Sequence, residues 1–339
     1  MKKFINNFEN IFSQPSLWKA WVGYYKGKRH RQSVAEYEYR LEENLTELYR
    51  RLKNNTYESS PYRKFIVFDP KKRVISAPGM ADHIVHRALY NALYPFYDRL
   101  FMACSFSCRE GKGLSKALEL TQSYLKSVSQ NYHCKIWVLH FDIKKCFDSI
   151  DHLILKQFLR QRIHCQKTIQ ILEKIIYGYH TAESKGIPLG SLTSQLFINI
   201  YLDPLDRFVK EKLKIKHYLR YADDSFIFSR DRKECQKWLV QIGDFLKINL
   251  KLSIPPDHYS ICNLNSGVKI LGWKFVNNYS KIKAESVSQM KSKFAQRVVE
   301  YKKDSISASK LNSSWQSYRG ILVRGKNLST INQFLAQIL

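Results

Sequence analysis

The sequence predicts an α+β fold, in which strands and helices alternate irregularly. Its 339 residues are 44% hydrophobic, which is ample for a large core. Short β-branched and aromatic runs beside turn signals predict strands, and apolar residues at three- and four-residue steps predict helices. This irregular order favours α+β over a doubly wound sheet.

The first part of the chain predicts a helix followed by a hairpin. Apolar residues recur with helical spacing over residues 33–53, and Ser33 is the expected N-cap, with Glu36 three residues later. Strand patterns at 63–68 and 73–76 flank a turn at 69–72. The resulting hairpin carries five cations, which suits contact with a phosphate chain.

The central part predicts a buried strand and an acidic hairpin. Residues 136–143 form a nearly continuous apolar run with Asp142 near its end. Asp223 and Asp224 lie between two strand-like runs, as at the bend of a β-hairpin. The other expected elements are helices over about 152–175, 192–213 and 232–249, a strand pair around 267–275 and a basic helical tail. Pro204 is expected to kink or divide the second of these helices.

The charge of the chain favours nucleic acid as a partner. Lys and Arg total 56 against 29 Asp and Glu, a formal net charge of +27 that a polyanion would neutralise. The 21 Tyr, 19 Phe and 6 Trp favour nucleic acid over an anionic membrane surface, because aromatic faces stack on bases. A merely basic protein is the alternative. Neither a secretion signal nor a membrane span is predicted.

The seven cysteines are odd in number and irregularly spaced, which favours free thiols in a reducing cytoplasm over a disulfide framework. Cys104, Cys108 and the pair His133–Cys134 suggest a zinc site only weakly. No CxxC pair supports such a site, so buried thiols are the preferred interpretation.

The three aspartates together predict a two-metal centre. Two cations about 3.5–4 Å apart need carboxylates on rigid neighbouring elements, and a strand-end Asp142 beside Asp223 and Asp224 would supply them. An Asp-Asp pair at a turn is usually a solvated bend. Here both flanking runs look buried, and burying an unpaired acidic pair is costly without a metal.

These residues resemble motifs of reverse transcriptases. Tyr221–Asp224 resembles the YxDD box, and Phe141–Ile150 resembles the first metal-binding palm motif. Four further segments match in order: the fingers motif at Arg73, the following motif Ser107–Gly113, the nucleotide-positioning motif Gly186–Gly190 with Ser194, and the primer grip Leu271, Gly272 and Trp273. The resemblance covers about residue 40 to the C-terminus.

The resemblance implies a right-hand polymerase with fingers, a palm with an antiparallel sheet and a helical thumb. The expected domains are an N-terminal helical region at 1–60, fingers at 61–135, a palm at 136–275 with a fingers-derived insertion near 151–190, and a basic thumb at 276–339. The implied enzyme is an RNA-directed DNA polymerase, a nucleotidyltransferase that uses two Mg²⁺ ions, with Mn²⁺ as an alternative.

The resemblance also assigns roles to single residues. Asp142 and Asp223 become the principal metal ligands, Asp224 a weaker one, and Ile143 lies beside them at the metals. Phe147 becomes the steric gate against a ribose 2′-hydroxyl, with a core aromatic as the alternative. The implied nucleotide-binding set is Arg73, Arg109, Lys112, Phe147, Leu189, Gly190 and Gln195. Asp148 is left as a cap or turn residue.

Two residues differ from the usual reverse transcriptase motif and indicate a subfamily. Leu189 stands where most relatives carry Gln, and Gln195 stands where most carry Pro. This form, with the Leu202–Asp206 segment, is similar to reverse transcriptases of diversity-generating retroelements, which implies error-prone cDNA synthesis for targeted protein diversification (mutagenic retrohoming). Losing an amide hydrogen bond should weaken discrimination between bases, so low fidelity is expected, with simple packing of Leu189 as the alternative. Errors opposite template adenines are implied by the resemblance alone.

His258 is a candidate proton donor. It occupies a place where relatives usually carry Lys, and a His donates a proton near neutral pH. A surface residue is the alternative interpretation. The thumb cations are expected to follow the backbone of a template–primer duplex: Lys291, Lys293, Arg297, Lys302, Arg319, Arg324 and Lys326.

The resemblance implies several partners: a structured template RNA, the RNA/DNA duplex, deoxynucleoside triphosphates and a small basic accessory protein, with no membrane. The implied setting is the cytoplasm, in a bacterial, archaeal or phage-encoded system. No integrase, RNase H, maturase or endonuclease region is expected, and a group II intron-like maturase is disfavoured by the short tail. A standalone or antiphage-defence reverse transcriptase and a non-catalytic RNA-binding scaffold remain alternatives.

Overall fold

The computed structural model describes residues 2–68, 72–325, 332 and 336. The helices in this part of the chain are α1 Phe8–Phe12, α2 Gln14–Tyr25, α3 Gln32–Tyr39, α4 Leu41–Lys53, α5 Met80–Asp98, α6 Leu114–Val128, α7 Cys146–Ser149, α8 His152–Arg160, α9 Gln166–Tyr177, α10 Leu192–Arg207, α11 Arg232–Leu250, α12 Ala284–Lys302 and α13 Ala308–Arg324. The strands are β1 Arg63–Phe68, β2 Lys72–Ala77, β3 Trp137–Asp142, β4 Tyr218–Tyr221, β5 Asp224–Ser229, β6 Tyr259–Asn263, β7 Val268–Ile270, β8 Trp273–Val276 and β9 Tyr279–Ile282. The irregular order of helices and strands confirms the α+β class.

The strands of the described residues form three sheets. Strands β1 and β2 form an antiparallel hairpin in which Val67 faces Arg73, as the sequence predicted. The central sheet has the order β4-β5-β3-β6, and β7-β8-β9 form a third sheet. Because β3 and β5 are direct neighbours, the central sheet meets the condition that the predicted metal centre required. Most of the expected turn at 69–72 lies outside the described residues.

The chain divides into two compact units, and the first comprises Met1–Ala117, His140–Ser225 and Lys237–Tyr259. Helix α5 is central to its packing, with α2 and α10 against it, and α8 packs against α10. Large side chains such as Trp21, Phe197 and Tyr201 are fully buried there. Burying such side chains supplies about 1.5–3 kcal/mol each, so this apolar cluster fixes the helices that carry the functional loops.

The second unit comprises Leu118–Leu139, Phe226–Gln236 and Ser260–Leu339. Helices α12 and α13 pack together, with the buried ring of Phe294 against Trp315 and Tyr318. The predicted basic tail is therefore helical. Of the predicted thumb cations, Lys291, Lys293, Arg297 and Lys302 lie on α12, Arg319 and Arg324 lie on α13, and Lys326 lies outside the described residues.

The predicted helix over 33–53 is wrong in two respects. It divides into α3 and α4 at Arg40, whose backbone has φ −120° and ψ 44°. Asn44 on α4 donates a 3.0 Å hydrogen bond from Nδ2 to the Tyr37 carbonyl, which satisfies the end of α3. Helix α3 starts before Ser33, so the residue at the N-cap is Arg31 and Ser33 is not the cap.

Two other predicted helices also differ from the structure. The span 152–175 contains α8 and α9 with a break after Arg160. The helix from residue 192 is not divided at Pro204, because α10 continues to Arg207 and passes into a π-helical turn, Phe208–Lys212. The salt bridge from Arg207 Nε to Asp203 Oδ2, 2.7 Å long, spans the proline. The proline removes one backbone donor, and the helix continues through it to Arg207 before its geometry changes to the π-helical turn.

Gly186 is predicted to be essential for the path of the loop that follows it. Its φ is +100°, and an added Cβ would lie 2.6 Å from Thr181 Oγ1. We expect Gly186→Ala to lower the free energy of unfolding by about 1–3 kcal/mol, measured by urea denaturation. Gly243 is the matched control, because it lies inside α11 with open space around it. Gly243→Ala should raise the free energy by about 0.5–1 kcal/mol, and equal effects of the two changes would contradict this account.

Candidate active site

Strand β3 carries the first acidic residue of the site. Its apolar residues Val138, Leu139 and Phe141 are fully buried, as the uninterrupted apolar run predicted. Asp142 is the last residue of the strand, and its side chain is 34% exposed. A buried strand that ends in a half-exposed carboxylate holds that group on a rigid support while leaving it accessible.

The second acidic residue lies in the turn between β4 and β5. Only Ala222 and Asp223 separate the two strands, and Ala222 has a left-handed backbone with φ +57°, as short hairpin turns require. Asp223 is in hydrogen-bond contact with Asp142. Burial, followed by the charge of Asp142, raises the pKa of Asp223 to about 6. The structure therefore brings together the two carboxylates that the sequence predicted would meet.

Two histidines contact the acidic residues. His258 Nδ1 lies 3.1 Å from Asp142 Oδ2, and His140 Nε2 lies 2.9 Å from Asp224 Oδ1. His258 stands at the end of a short 3₁₀ turn, Pro256–His258. His140 was not identified from the sequence, although it precedes Asp142 by two residues on the same strand and therefore shares its face.

Carboxylate oxygens are the ligands that hard divalent cations prefer. Of the predicted metal ligands, Asp142 and Asp223 lie together, Asp224 contacts His140, and Ile143 is buried directly after Asp142. Within the described residues, no group of three or more His, Cys, Asp or Glu side chains is arranged to hold a metal ion. An open set of two or three carboxylates suits Mg²⁺, which keeps several waters and also binds substrate phosphates.

The loop Gly186–Gly190 connects Phe147, the predicted steric gate, to the β1–β2 hairpin. The Ile187 N–H donates to the Phe147 carbonyl at 2.9 Å, and the Ser76 N–H donates to the Leu189 carbonyl at 2.9 Å. Gly190 has φ +118°, and a Cβ there would lie 2.7 Å from Ile75 Cγ2. The loop is therefore fixed through its backbone, between α7 and β2.

A buried polar cluster lies behind this loop. His86 Nδ1 is 2.6 Å from Thr193 Oγ1 and 3.0 Å from Ser191 Oγ, and all three residues are fully buried. Burial lowers the pKa of His86 to about 3, so its ring stays neutral at physiological pH. Sequence patterns gave no signal for this cluster, because His86 is more than 100 residues from Ser191 and Thr193 in the chain.

The predicted nucleotide-binding cations have different environments. Arg73 is exposed on β2. The buried Arg109 donates to the Asp98 carboxylate and to the carbonyls of Asp98, Met102 and Ser105. Lys112 Nζ donates to the Ala103 carbonyl at 2.7 Å. Arg109 and Lys112 therefore organise the segment around residue 105 in this structure, and their contact with a nucleotide stays a prediction.

A basic cavity of about 510 Å³ adjoins Gly190 and the exposed Gln195. Among the described residues, its lining includes four cations and no carboxylate: Lys28, Arg31, Arg63 and Arg87. The ring of Tyr24 stacks on that of His83 with centroids 4.5 Å apart, and both also line the cavity. Cations beside stacked rings favour a polyanion with bases.

The predicted primer-grip residues lie in the second unit. Leu271 and Gly272 form the two-residue turn between β7 and β8, with φ +47° and +85°. Trp273 follows at the start of β8 and is buried. Positive φ at both positions is the geometry of a tight hairpin turn. The local structure is thus a fixed hairpin, and its contact with a primer stays a prediction.

A sequence model of one protein family, described as "Reverse transcriptase (RNA-dependent DNA polymerase)", matches residues 63–275. This span is more than half of the chain, and it confirms the predicted fold class and, at the level of the family, the predicted enzyme class. No helix in the described part of the chain is both long and apolar enough to span a lipid bilayer.

Three curated proteins are similar in sequence. The group II intron-encoded protein LtrA of Lactococcus lactis subsp. cremoris is 23% identical over 384 residues, covering 88% of this chain and 62% of that protein. Protein YkfC of Escherichia coli K12 is 25% identical over 284 residues, covering 71% and 74%. An uncharacterized 91 kDa protein in the cob intron of Schizosaccharomyces pombe is 31% identical over 171 residues, covering 48% and 20%. This chain thus spans less than two thirds of the Lactococcus protein.

Asp223 should make the stability of the metal-free chain depend on pH. Folding raises the pKa of the carboxyl from 3.8 to about 6, so between these pH values the folded chain keeps a proton that the unfolded chain releases. The free energy of unfolding is therefore unaffected by this group below pH 3.8 and falls as the pH rises through 6. We expect Asp223→Asn to stabilise the chain by about 1–2 kcal/mol near pH 7.5 and to have little effect near pH 4. Denaturant unfolding with a chelator present measures both values.

The exposed Asp148 provides the matched control for this change. Asp148→Asn should leave the free energy of unfolding unchanged at both pH values, since no buried carboxylate contacts are lost. A destabilised Asp223→Asn chain near pH 7.5 would contradict the proposed repulsion between Asp142 and Asp223.

Proposed function

The chain belongs to the reverse transcriptase (RNA-dependent DNA polymerase) family, and from this premise we propose that it copies RNA into DNA. The observation that carries the proposal is the contact between Asp142 and Asp223 at the ends of neighbouring elements of the central sheet. Holding two partly buried carboxylates in contact is costly unless a cation joins them. A non-catalytic scaffold would not need this costly arrangement.

The residues around the site have complementary proposed roles. When bound, two divalent ions supply the charge that activates a primer 3′-hydroxyl and stabilises the leaving pyrophosphate. Asp142 and Asp223 would hold them, with Asp224 and Ile143 beside these ligands. His140 and His258 contact the carboxylates and can orient them. A role of His258 as a proton donor remains part of the proposal.

Substrate selection would involve the loop and the basic cavity. Phe147, whose carbonyl is tied to the loop, would exclude a ribose 2′-hydroxyl and select deoxynucleoside triphosphates. The cations of the cavity and of α12 and α13 match a template RNA and an RNA/DNA duplex. The seven free cysteines favour a reducing compartment, so the proposed setting is the cytoplasm.

The finer proposal is error-prone synthesis in a diversity-generating retroelement, with a structured template RNA and a small basic accessory protein. Its support is the resemblance of the Gly186–Gln195 segment to that group, in particular Leu189 ahead of Gly190 and Gln195 after Ser194. Leu189 has no group that can form a hydrogen bond with a nucleotide. A site with one fewer polar contact discriminates less between correct and incorrect substrates.

A second candidate is a reverse transcriptase of the group II intron type. The similarity to LtrA over 88% of this chain favours it. The two candidates share the same carboxylate centre and differ in their proposed fidelity and RNA partner. Sequencing of the cDNA product therefore separates them.

The first test is primer extension on an RNA template with Mg²⁺ and four deoxynucleotides. We expect DNA from the unmodified chain and at least about a hundredfold less from Asp223→Asn. Changing a residue that only contacts a metal ligand already lowers activity about 10–100-fold, and Asp223 is itself a proposed ligand. Asp148→Asn is the control and should extend the primer normally. Equal extension by the Asp223→Asn chain would exclude the proposed centre, and no extension by any chain with native RNA present would favour the scaffold.

The second test concerns fidelity and uses Leu189→Gln. We expect errors opposite template adenines to fall about fivefold, the value of one hydrogen bond of about 1 kcal/mol. Leu189→Met, which keeps an apolar side chain, should retain the original error rate. The measurement is deep sequencing of cDNA from one defined template. Uniformly few errors in the unmodified chain would reject the retroelement proposal and favour the intron-type enzyme.

A further inference from the structure

Arg220 is a fully buried arginine three residues before Asp223. All five N–H groups of its guanidinium have an acceptor. Nε and Nη2 bind the two carboxylate oxygens of Asp206 at 2.8 and 2.7 Å, and Nη2 also donates to Ser105 Oγ at 3.0 Å. Nη1 donates to Asn199 Oδ1 at 3.3 Å and to the Ala222 carbonyl at 3.0 Å. The side chain thus connects helix α10 to the acidic turn.

The bond to Ala222 acts on the geometry of Asp223. The Ala222 carbonyl belongs to the peptide group whose nitrogen is that of Asp223, so fixing this carbonyl fixes the plane that precedes the Asp223 Cα. Ala222 also has φ +57°, which is unfavourable for a residue with a Cβ. A turn in a strained conformation needs outside contacts to keep it, and Arg220 supplies one of them.

Arg220 is itself held from both sides. Its backbone N–H donates to the Cys104 carbonyl, and its carbonyl accepts from the Phe106 N–H. Tyr218 Oη donates to the same Asp206 carboxylate at 2.9 Å. The guanidinium is therefore a fixed reference point, and it cannot follow a turn that moves.

A buried ion pair is a weak source of stability, because desolvation offsets the attraction between its charges. Its geometry is more informative here, because the bidentate pair leaves Nη1 directed at the turn. We propose that Arg220 is a positioning residue that holds the Ala222–Asp223 peptide so that Asp223 stays beside Asp142. The inference rests on the proposed function, in which these two aspartates bind the metal ions of a polymerase.

The test compares Arg220→Lys with Arg207→Lys. Lysine keeps the charge but lacks the fork that reaches Asp206 and the turn together. Arg207 is the matched control, because it also forms an ion pair with an aspartate of α10, Asp203. It also donates to a backbone carbonyl, that of Leu100, which is not part of the turn. Two properties of the free chain are measured: Mn²⁺ affinity by electron paramagnetic resonance, and amide exchange of residues 221–224 by mass spectrometry.

We expect Arg220→Lys to weaken Mn²⁺ binding about tenfold or more and to speed amide exchange in the turn, whereas Arg207→Lys changes neither. In primer extension, the Mn²⁺ concentration for half-maximal rate should rise while the KM for deoxynucleotides stays constant. A loss of thermal stability with unchanged Mn²⁺ affinity and unchanged turn exchange would overturn the proposal, since that is the result of a purely structural role.

A second variant covers the case in which Arg220→Lys does not fold. The double change Arg220→Met with Asp206→Leu removes both buried charges, which is often neutral for stability. It should show the same loss of Mn²⁺ affinity, and full affinity would overturn the proposal. Because metal binding and amide exchange need no template, they separate this inference from the proposed function. A chain with the expected differences that makes no DNA would refute the polymerase and leave the positioning role.

Discussion

The repulsion between the carboxylates of Asp142 and Asp223 is the constraint on which the site depends. Burial and proximity raise the pKa of Asp223 to about 6, which means that the folded chain resists holding both groups ionised. When both groups are ionised, the surrounding structure must hold them together against their mutual repulsion. Strand β3 holds one through its buried apolar residues, and the short turn of the β4–β5 hairpin holds the other. The rigidity of these elements is what makes the pair available to a cation.

The loop Gly186–Gly190 is likewise held in place by contacts from other elements. Gly186 and Gly190 have backbone conformations that other residues avoid, and the space around each is filled by Thr181 and Ile75. The loop donates a backbone hydrogen bond to Phe147 of α7 and accepts one from Ser76 of β2, and the neutral His86 cluster packs behind it. Both the acidic turn and this loop therefore have backbone conformations that are fixed by contacts from separate elements.

Sequence patterns predicted the parts of the site that depend on local order. The apolar run before Asp142 and the two runs around Asp223 gave the strands, and the YxDD-like segment gave the hairpin bend. The break at Arg40 could not be predicted in this way, because the apolar spacing continues across it and the bond from Asn44 to Tyr37 closes only in three dimensions. The contact of Arg220 with Asp206 depends on the packing of β4 against α10, and that of His86 with Thr193 depends on the packing of α5 against α10. His140 could have been identified from the sequence, since period-two alternation places it on the same face of β3 as Asp142.

The structure also bears on how one side chain can change fidelity without disturbing catalysis. The backbone of the nucleotide loop is fixed by the bonds from Ser76 to the Leu189 carbonyl and from Ile187 to the Phe147 carbonyl. Neither bond uses the side chain at position 189, which is only half-buried. A change from an amide to an aliphatic side chain therefore alters the chemistry offered to a nucleotide while the path of the loop stays the same. Under the proposed function, discrimination and polymerisation are separable because the first depends on a side chain, whereas the second depends on backbone geometry and on carboxylates held by other elements.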